Sequence, residues 1–583
     1  MWATARGEGG TRGMTAEELA LLGRTAVHLQ PSQVAHRARL RAQRAALRRW
    51  PGLGQRLLAS VSPVEAGGWP TSFTPLDAIA PDRWPSLAQL ASGRIALLGV
   101  VRDLGEPAQW LHADAPQLWR YHLHYWDWAW GLAAEAERGI ARGMFARLWQ
   151  SWQASCAFGQ SDAWLPYPTA LRAWSWCGLY RDLVAGSDLE PVFLREIAAH
   201  AGFLRRHLES DVGGNHLVKG LKALVGLGVF LRDERLLAKA LERLTAQLAV
   251  QVLPDGGHYE RAPAYHCQVL ADLVDVSNLL SAAGRAPAPR LALAIAQMRR
   301  WLGAVLAPDG AVPLLNDGYP VPGAVVAALQ PEPAPGAPLV TLPDTGLIRA
   351  AVAGWHLIAD VGAPCPDELP AHAHADTLGC LLYVDGAPLL IDTATSTYSA
   401  GQVRNYERST AAHNTAEVDG ADSTEVWGAF RAGRRARVHG PAAGGGAGRV
   451  TAEAAHDGYR RLPGRPVHRR RWTLSSAGLQ VDDEVTGGRR HEVVVRWHLA
   501  PGAAVQLQAE GAVVSTAAGD FPVSVSASGP VRLGVEPGMV ATGFQATSVA
   551  PVLTCRIDAG LPVRVSTCWR RTLGGTAGIW RTV

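Results

Sequence analysis

The sequence predicts a multidomain α+β chain, with a helical half followed by an antiparallel β-sandwich. Two changes along the chain carry this reading. Through residues 1–335 alanine and leucine recur at helical spacing, as in "LRDERLLAKALERLTAQLAVQVL", "YHCQVLADLVDVSNLLSAAG" and "RLALAIAQMRRWLGAVL". After a proline-rich stretch, "LQPEPAPGAPL" (Leu329–Leu339), the period falls to two, as in "GLIRAAVAGWHLIADVG", "GCLLYVDGAPLLIDT", "HEVVVRWHLAPG" and "FPVSVSASGPVRLGV".

In the first half several segments end at Gly or Pro, and the connectors are short, which predicts helical hairpins packed side by side. No strict repeat is visible, so a consensus solenoid is not expected. The prolines stiffen the chain and exclude both helix and strand, which places a domain boundary there. Beyond them, many short alternating strands broken by Gly, Asp or Pro predict an antiparallel sandwich, with room for more than one pair of sheets.

A chain of 583 residues is too long for one core and predicts two or three domains. The longest apolar stretch, Ala223–Leu231, falls short of the roughly 20 residues a membrane helix needs, so no transmembrane segment is expected. The opening "MWATARGEGGTRGMTAEELALL" lacks the basic start, apolar run and cleavage site of a secretory signal. Seven scattered cysteines without a CxxC pair argue against a disulfide framework and a cysteine zinc site. The expectation is a reducing, cytoplasmic compartment, with non-standard export left open. A net charge of +5 suits an acidic partner. The basic run "HRARLRAQRAALRRW" (His36–Trp50) reads as a solvated helix face, or as a surface for nucleic acid, anionic lipid or a polyanion. No recognised nucleic-acid motif accompanies it, and no nucleic-acid partner is expected. The oligomeric state is not legible.

Chemistry concentrates in "AHAHADT" (371–377). In an extended segment His372 and His374 share one face. Asp376 has the same parity, but Asp392, ending "PLLIDT", is the better third ligand, and His413 follows in "STAAHNT". Two imidazoles and a carboxylate make a common zinc shell. The alternative is that these side chains cap strand ends and bond to backbone.

Several long motifs resemble the heparinase II/III-like polysaccharide lyases and occur in that family's order. They are "LWRYHLHYWDW" (118–128), "GGNHLVKGLKAL" (213–224), "DGGHYERAPAYH" (255–266), "HAHADTLGCLLYVDGAPLLIDT" (372–393) and "RNYERSTAAHNTAEVDG" (404–420). The resemblance implies an incomplete (α/α) toroid followed by the sandwich. The corresponding division is an N-terminal helical extension (1–110), the toroid (111–335) and the sandwich (336–583). It also implies β-elimination on a uronic-acid polysaccharide in a cleft between the two halves. A zinc would sit in the sandwich, held by His374, Asp392 and His413, in a supporting role.

Elimination removes the C5 proton beside a uronate and expels the C4 oxygen, so the carboxylate must first be neutralised. By resemblance, Asn215 donates to that carboxylate, and His216 is a second donor or the base. Tyr265 donates to the leaving oxygen, or both takes and gives the proton. His372 faces the cleft as base or neutraliser. Tyr259 is the rival tyrosine. Arg120, His124, Tyr167, Arg172, Lys219, Tyr406 and Arg408 are candidate substrate contacts. The tryptophans around Arg120 and Arg172 either stack on sugars or pack between helices. Relatives often read NHxxE, whereas Lys219 stands at the glutamate position here. A lysine there pairs with a uronate or sulfate, or lowers the pKa of His216. Two further functions stay open: a glycan-binding protein that has lost elimination, and hydrolysis by paired carboxylates, with Glu260 and Asp255 as candidates.

Overall fold

The computed structural model describes residues 15–50, 52, 54, 67–79, 84–159, 161–333 and 336–572. Residues 1–14 of the stretch read for an export signal, and residues 334–335 of the proline-rich boundary, lie outside them. The helical half is a two-layered, incomplete toroid. Pro166–Leu183, Gly214–Phe230 and Pro263–Ala282 pack side by side as the inner layer. Arg138–Ser155, Glu190–His207, Glu234–Gln251 and Pro289–Val305 pack outside them. The inner helices are buried on nearly every face, which is why they read as apolar all round. Outer helices are striped. In Glu234–Gln251, Leu237, Ala240, Leu244 and Leu248 point inward, and the Asp233 side chain caps the start by accepting from Leu236 N. Pro166, Pro263 and Pro289 begin their helices, where a missing N–H costs nothing. Glycines set the spacing of the layers: a Cβ on Gly228 would lie 2.9 Å from the Leu237 backbone.

Residues 67–79 and 84–110, read as part of the N-terminal extension, pack against the toroid helices. Phe73, Leu90, Ile95, Leu97, Leu104 and Trp110 join the toroid core. They include a β-hairpin, Arg94–Leu97 with Val100–Asp103, turned by Leu98 and Gly99 at positive φ. Before it, helices Ala16–Ala26 and Pro31–Arg49 bridge the two halves. Gln33 Nε2 donates to the carbonyls of Asp211 in the toroid and Glu368 in the sandwich, both at 3.3 Å. Arg24 pairs with Glu425 at 2.8 Å.

The second half is antiparallel throughout. An eight-stranded sheet between Val438 and Arg570 forms one layer. The other joins a five-stranded sheet (Leu339–Leu390) to a four-stranded one through Ile391 N, which donates to His498 O at 2.9 Å. All three sheets contribute to one core. The seven cysteines form no disulfide. Among the described residues no helix is long and apolar enough to cross a membrane.

The halves are joined by their own apolar cluster. Trp301, Val305 and Leu315 of the toroid pack on Leu342, Leu347, Ile358 and Leu381 of the sandwich. Trp301 Nε1 donates to Thr345 Oγ1 at 3.0 Å. Replacing Trp301→Ala opens a cavity in this seam and is expected to cost about 3–5 kcal/mol. Denaturant unfolding followed separately by far-ultraviolet circular dichroism and tryptophan fluorescence measures it, and an unchanged midpoint would contradict the role of the seam.

Candidate active site

The site forms where the toroid helices begin beneath a sandwich loop. Gly213 and Gly214 have positive φ and open the helix Gly214–Phe230. A Cβ on Gly214 would lie 2.0 Å from Glu260 Oε1, so only glycine fits there. Gly214 N donates to Tyr259 OH at 2.9 Å, which spends that tyrosine on the helix start. Asn215 N donates to Glu260 Oε1 at 2.6 Å. Its Nδ2 reaches both Glu260 oxygens, at 3.2 and 3.1 Å, and lies 3.5 Å from His372 Nε2.

His372 and His374 lie on an irregular loop rather than a strand, so alternation is not what brings them together. They converge because both bind Asp317, from the loop that closes the toroid. His372 Nδ1 is 2.8 Å from Asp317 Oδ2, and His374 Nε2 is 2.9 Å from Oδ1. Arg404, in the helix Gln402–Arg408, grips both Asp317 oxygens, one of them at 2.9 Å from Nη2. Across from this, His372 Nε2 meets Glu260 Oε2 at 2.9 Å. His372 is thus an imidazolium between two carboxylates. Burial opposes its charge, but Glu260 and Asp317 push its pKa up to about 9. Burial likewise opposes the charge on Glu260, and His372 pulls it down to about 2. Asp317 is held well below the usual carboxylate range by Arg404 and the histidines, against its burial.

Tyr265 stacks on His372 with ring centroids 3.8 Å apart, and its hydroxyl lies 2.7 Å from that of Tyr398. Burial, and then the neighbouring Tyr398, push its pKa well above the ordinary phenol value, so it stays protonated. His216 presents Nδ1 to Glu209 at 2.9 Å while its side chain is 21% exposed. Tyr167 packs on the His216 ring at 4.2 Å and accepts from Gln268 at 3.4 Å, one helical turn from Tyr265. Asn215, His216, Tyr265, His372 and Tyr167 thus form one connected group.

The expected metal residues are also neighbours. The His374 and His413 rings are 5.3 Å apart, and His413 Nδ1 is 2.9 Å from Asp392 Oδ2. His374 Nδ1, His413 Nε2 and both oxygens of Asp376 are buried without a hydrogen-bond partner. His374 and His413 thus each keep one unspent nitrogen, but Asp392 is spent on His413 Nδ1 and Ala394 N, and among the described residues no three such groups converge as a metal shell.

A model of the heparinase II/III N-terminus matches residues 103–330, and one of the heparinase II/III-like C-terminal domain matches residues 334–559. The chain belongs to the heparinase II/III-like family. Solved structures share its fold. One heparinase III is 16% identical, with 91% of this chain and 92% of that chain covered and a TM-score of 0.71. A second heparinase III is 16% identical, with 91% of each chain covered and a TM-score of 0.64. The heparan sulfate lyase HepC of Pedobacter heparinus is 16% identical, with 88% of this chain and 86% of that chain covered and a TM-score of 0.57. A comparison with curated proteins finds no match.

In this member of the heparinase II/III-like family several expected substrate contacts are buried or already paired within the chain. Arg172 is fully buried. It donates to His200 Nε2 at 2.9 Å and to His124 O at 3.0 Å, and lies 4.6 Å from the Trp152 ring. His124 is buried with it and accepts from Trp152 Nε1. The surrounding Trp119, Trp126, Trp128, Trp152 and Trp176 are core. Arg408 spends its guanidinium on the carbonyls of Ala373, Gly428 and Arg431, each at 3.0 Å, and so clamps the histidine loop. Arg120 pairs with Asp162 at 2.7 Å and is half-buried. Tyr406 turns to the opposite side of its helix from Arg404, its hydroxyl beside Gly538. Lys219 is paired to Asp272 at 2.7 Å, so its charge is already answered within the toroid.

Asp317, Arg404, Tyr398 and Glu209 escaped the sequence reading, as did the part Glu260 plays. Arg404 and Glu260 lie inside the quoted motifs, and buried-looking charges there were the available signal. Replacing Arg404→Met leaves the Asp317 carboxylate buried beside one cation fewer, with an expected loss of about 3–5 kcal/mol in denaturant unfolding. A loss under about 1 kcal/mol, the range of a surface pair, would show that Asp317 does not need it.

Proposed function

We propose that the protein is a polysaccharide lyase that cleaves a uronic-acid-containing acidic polysaccharide by β-elimination, leaving a 4,5-unsaturated uronate end. The observation that carries this reading is the meeting of an amide, an imidazolium and a protonated phenol: Asn215, His372 and Tyr265. Glu260 holds Asn215 and His372 side by side. A uronate carboxylate beside them would meet an amide donor and a positive ring, which lowers the cost of the negative charge that develops as the C5 proton leaves.

Both His372 nitrogens are engaged, so His372 serves as neutraliser. His216 is the better base: Glu209 orients Nδ1, leaving Nε2 to take the C5 proton. The C5–H electrons become the C4–C5 double bond, the C4–oxygen bond breaks, and Tyr265 gives its proton to the departing oxygen. Hydrolysis fits less well. Glu260 is held ionised, and Asp255 is spent on Thr345 N and Oγ1 at 2.7 and 2.9 Å.

Ultraviolet absorbance of the new double bond, followed on heparan sulfate, hyaluronan, chondroitin sulfate, alginate and glucuronan, tests the reading. A substrate polymer should give rising absorbance, and Tyr265→Phe should slow it by about 10²-fold or more. New reducing ends without the chromophore would point to hydrolysis. Binding without any cleavage would leave a glycan-binding protein on this fold.

A zinc held by His374, Asp392 and His413 would supply a fixed positive centre behind the histidine loop, and holding it requires Asp392 to leave His413 Nδ1. The chain's own part is to present the unspent nitrogens of His374 and His413. The purified protein should then contain zinc by atomic emission, His413→Ala should lose it, and chelation should lower the thermal midpoint. Metal-free protein with an unmoved midpoint in zinc would sink the assignment.

A further inference from the structure

The helix Pro31–Arg49 carries Arg37, Arg39, Arg41, Arg44, Arg48 and Arg49 and not one acidic residue. Arg37, Arg41, Arg44 and Arg48 recur at i, i+4, i+7 and i+11. At 100° per residue this places them within one stripe about 60° wide, beside the buried edge formed by Gln33 and Leu40. Like charges at three- and four-residue spacing destabilise a helix. Of the four, Arg37 has a hydrogen-bonded ion pair: its Nε pairs with Asp211 at 3.2 Å. Arg41, Arg44 and Arg48 form no hydrogen bond or ion pair among the described residues, and Arg44 Nε is buried without a partner.

The stripe is attached to the candidate active site. Gln33 and Arg37 hold Asp211, and Arg39 donates to Arg206 O at 3.3 Å. They grip the segment that runs directly into Gly213, Asn215 and His216. Glu209, which orients His216, lies in that segment and within electrostatic reach of Arg44. At the far end of the helix stands Trp50, 57% exposed, next to Arg48 and Arg49. An exposed indole at the end of the arginine-bearing helix suits a sugar ring that carries anionic groups: the ring face covers the indole and the guanidiniums take the charges.

We propose that Arg41, Arg44 and Arg48 form an extended subsite for the acidic polysaccharide, continuing from His216 along this helix. The helix has 19 residues and is about 28 Å long, enough to follow several sugar units. The proposal rests on the lyase reading for the position of the reacting unit, but not for binding itself. Attachment to the segment that carries Glu209 and leads into His216 favours a polysaccharide over a nucleic acid.

The test compares the wild-type chain with a double variant, Arg41→Ser and Arg48→Ser, which spares Arg44 because of its reach to Glu209, and with a double lysine variant that keeps the charge. On a polymer that the protein cleaves, the serine variant should raise KM by about tenfold with kcat unchanged, and the salt dependence of binding should flatten. On a short oligosaccharide of the same polymer neither constant should move. The lysine variant should recover much of the loss. Equal KM for wild type and serine variant on the long polymer overturns the proposal. If no polymer is cleaved, retardation of the two proteins in gels cast with heparan sulfate or alginate reads the stripe alone. Weaker retardation of the serine variant supports the subsite whatever becomes of the lyase reading, and equal retardation overturns it. Tighter binding of a single-stranded oligonucleotide than of any polysaccharide, lost in the serine variant, also overturns it.

Discussion

The Asp317 carboxylate is the constraint on which the site depends. It is fully buried and bonds to His372, His374, Thr395 and Arg404. A carboxylate removed from water is tolerated only when paired and hydrogen-bonded. Here the partners come from both sides of the boundary: the toroid supplies Asp317, and the sandwich supplies the histidine loop and the Arg404 helix. The apolar seam around Trp301 presses the halves together without specifying an alignment. Asp317 adds direction, because each of its oxygens admits an imidazole at only a few angles.

Glu260 makes the arrangement neutral. Asp317 and Glu260 balance Arg404 and His372, so the cluster can be dry without carrying net charge. Neutrality also assigns roles. With a carboxylate on each ring nitrogen His372 cannot accept a proton, whereas His216, with one carboxylate partner and a partly exposed ring, can. Two histidines of equal standing in the sequence are separated by the number of carboxylates each meets.

Periodicity made the fold legible. The inner helices read as uniformly apolar and the outer ones as striped, and the strands alternate because one face of each is buried. The hairpin turned at Leu98 and Gly99 is less legible, because a two-residue turn leaves little trace beside the surrounding helices. Within the site, Asn215, His216, Tyr265 and His372 were legible because they sit in recognisable motifs. Asp317 was not, since its meaning arises from contacts with residues 55 and 87 positions away. Composition cannot separate Arg172 from Arg404 either. Both are buried arginines amid aromatic rings, but one closes a tryptophan cage in the toroid and the other neutralises Asp317.

Lys219 shows how a charge reversal can leave the machinery in place. Lys219 and Lys222 lie one turn apart on an inner helix and face Asp272 and Asp275, one turn apart on the next. The two steps of three residues match, so the cations and anions interlock like teeth across the inner layer. Burial disfavours each charge alone, yet Lys222 is held charged by Asp272 and Asp275. A glutamate at 219 would put a third carboxylate against Asp272 and break the match. The lysine is therefore coupled to the neighbouring helix first, and the absence of a glutamate one turn after His216 follows from that packing. With Glu209 already on Nδ1, His216 keeps an oriented ring without the glutamate one turn below it.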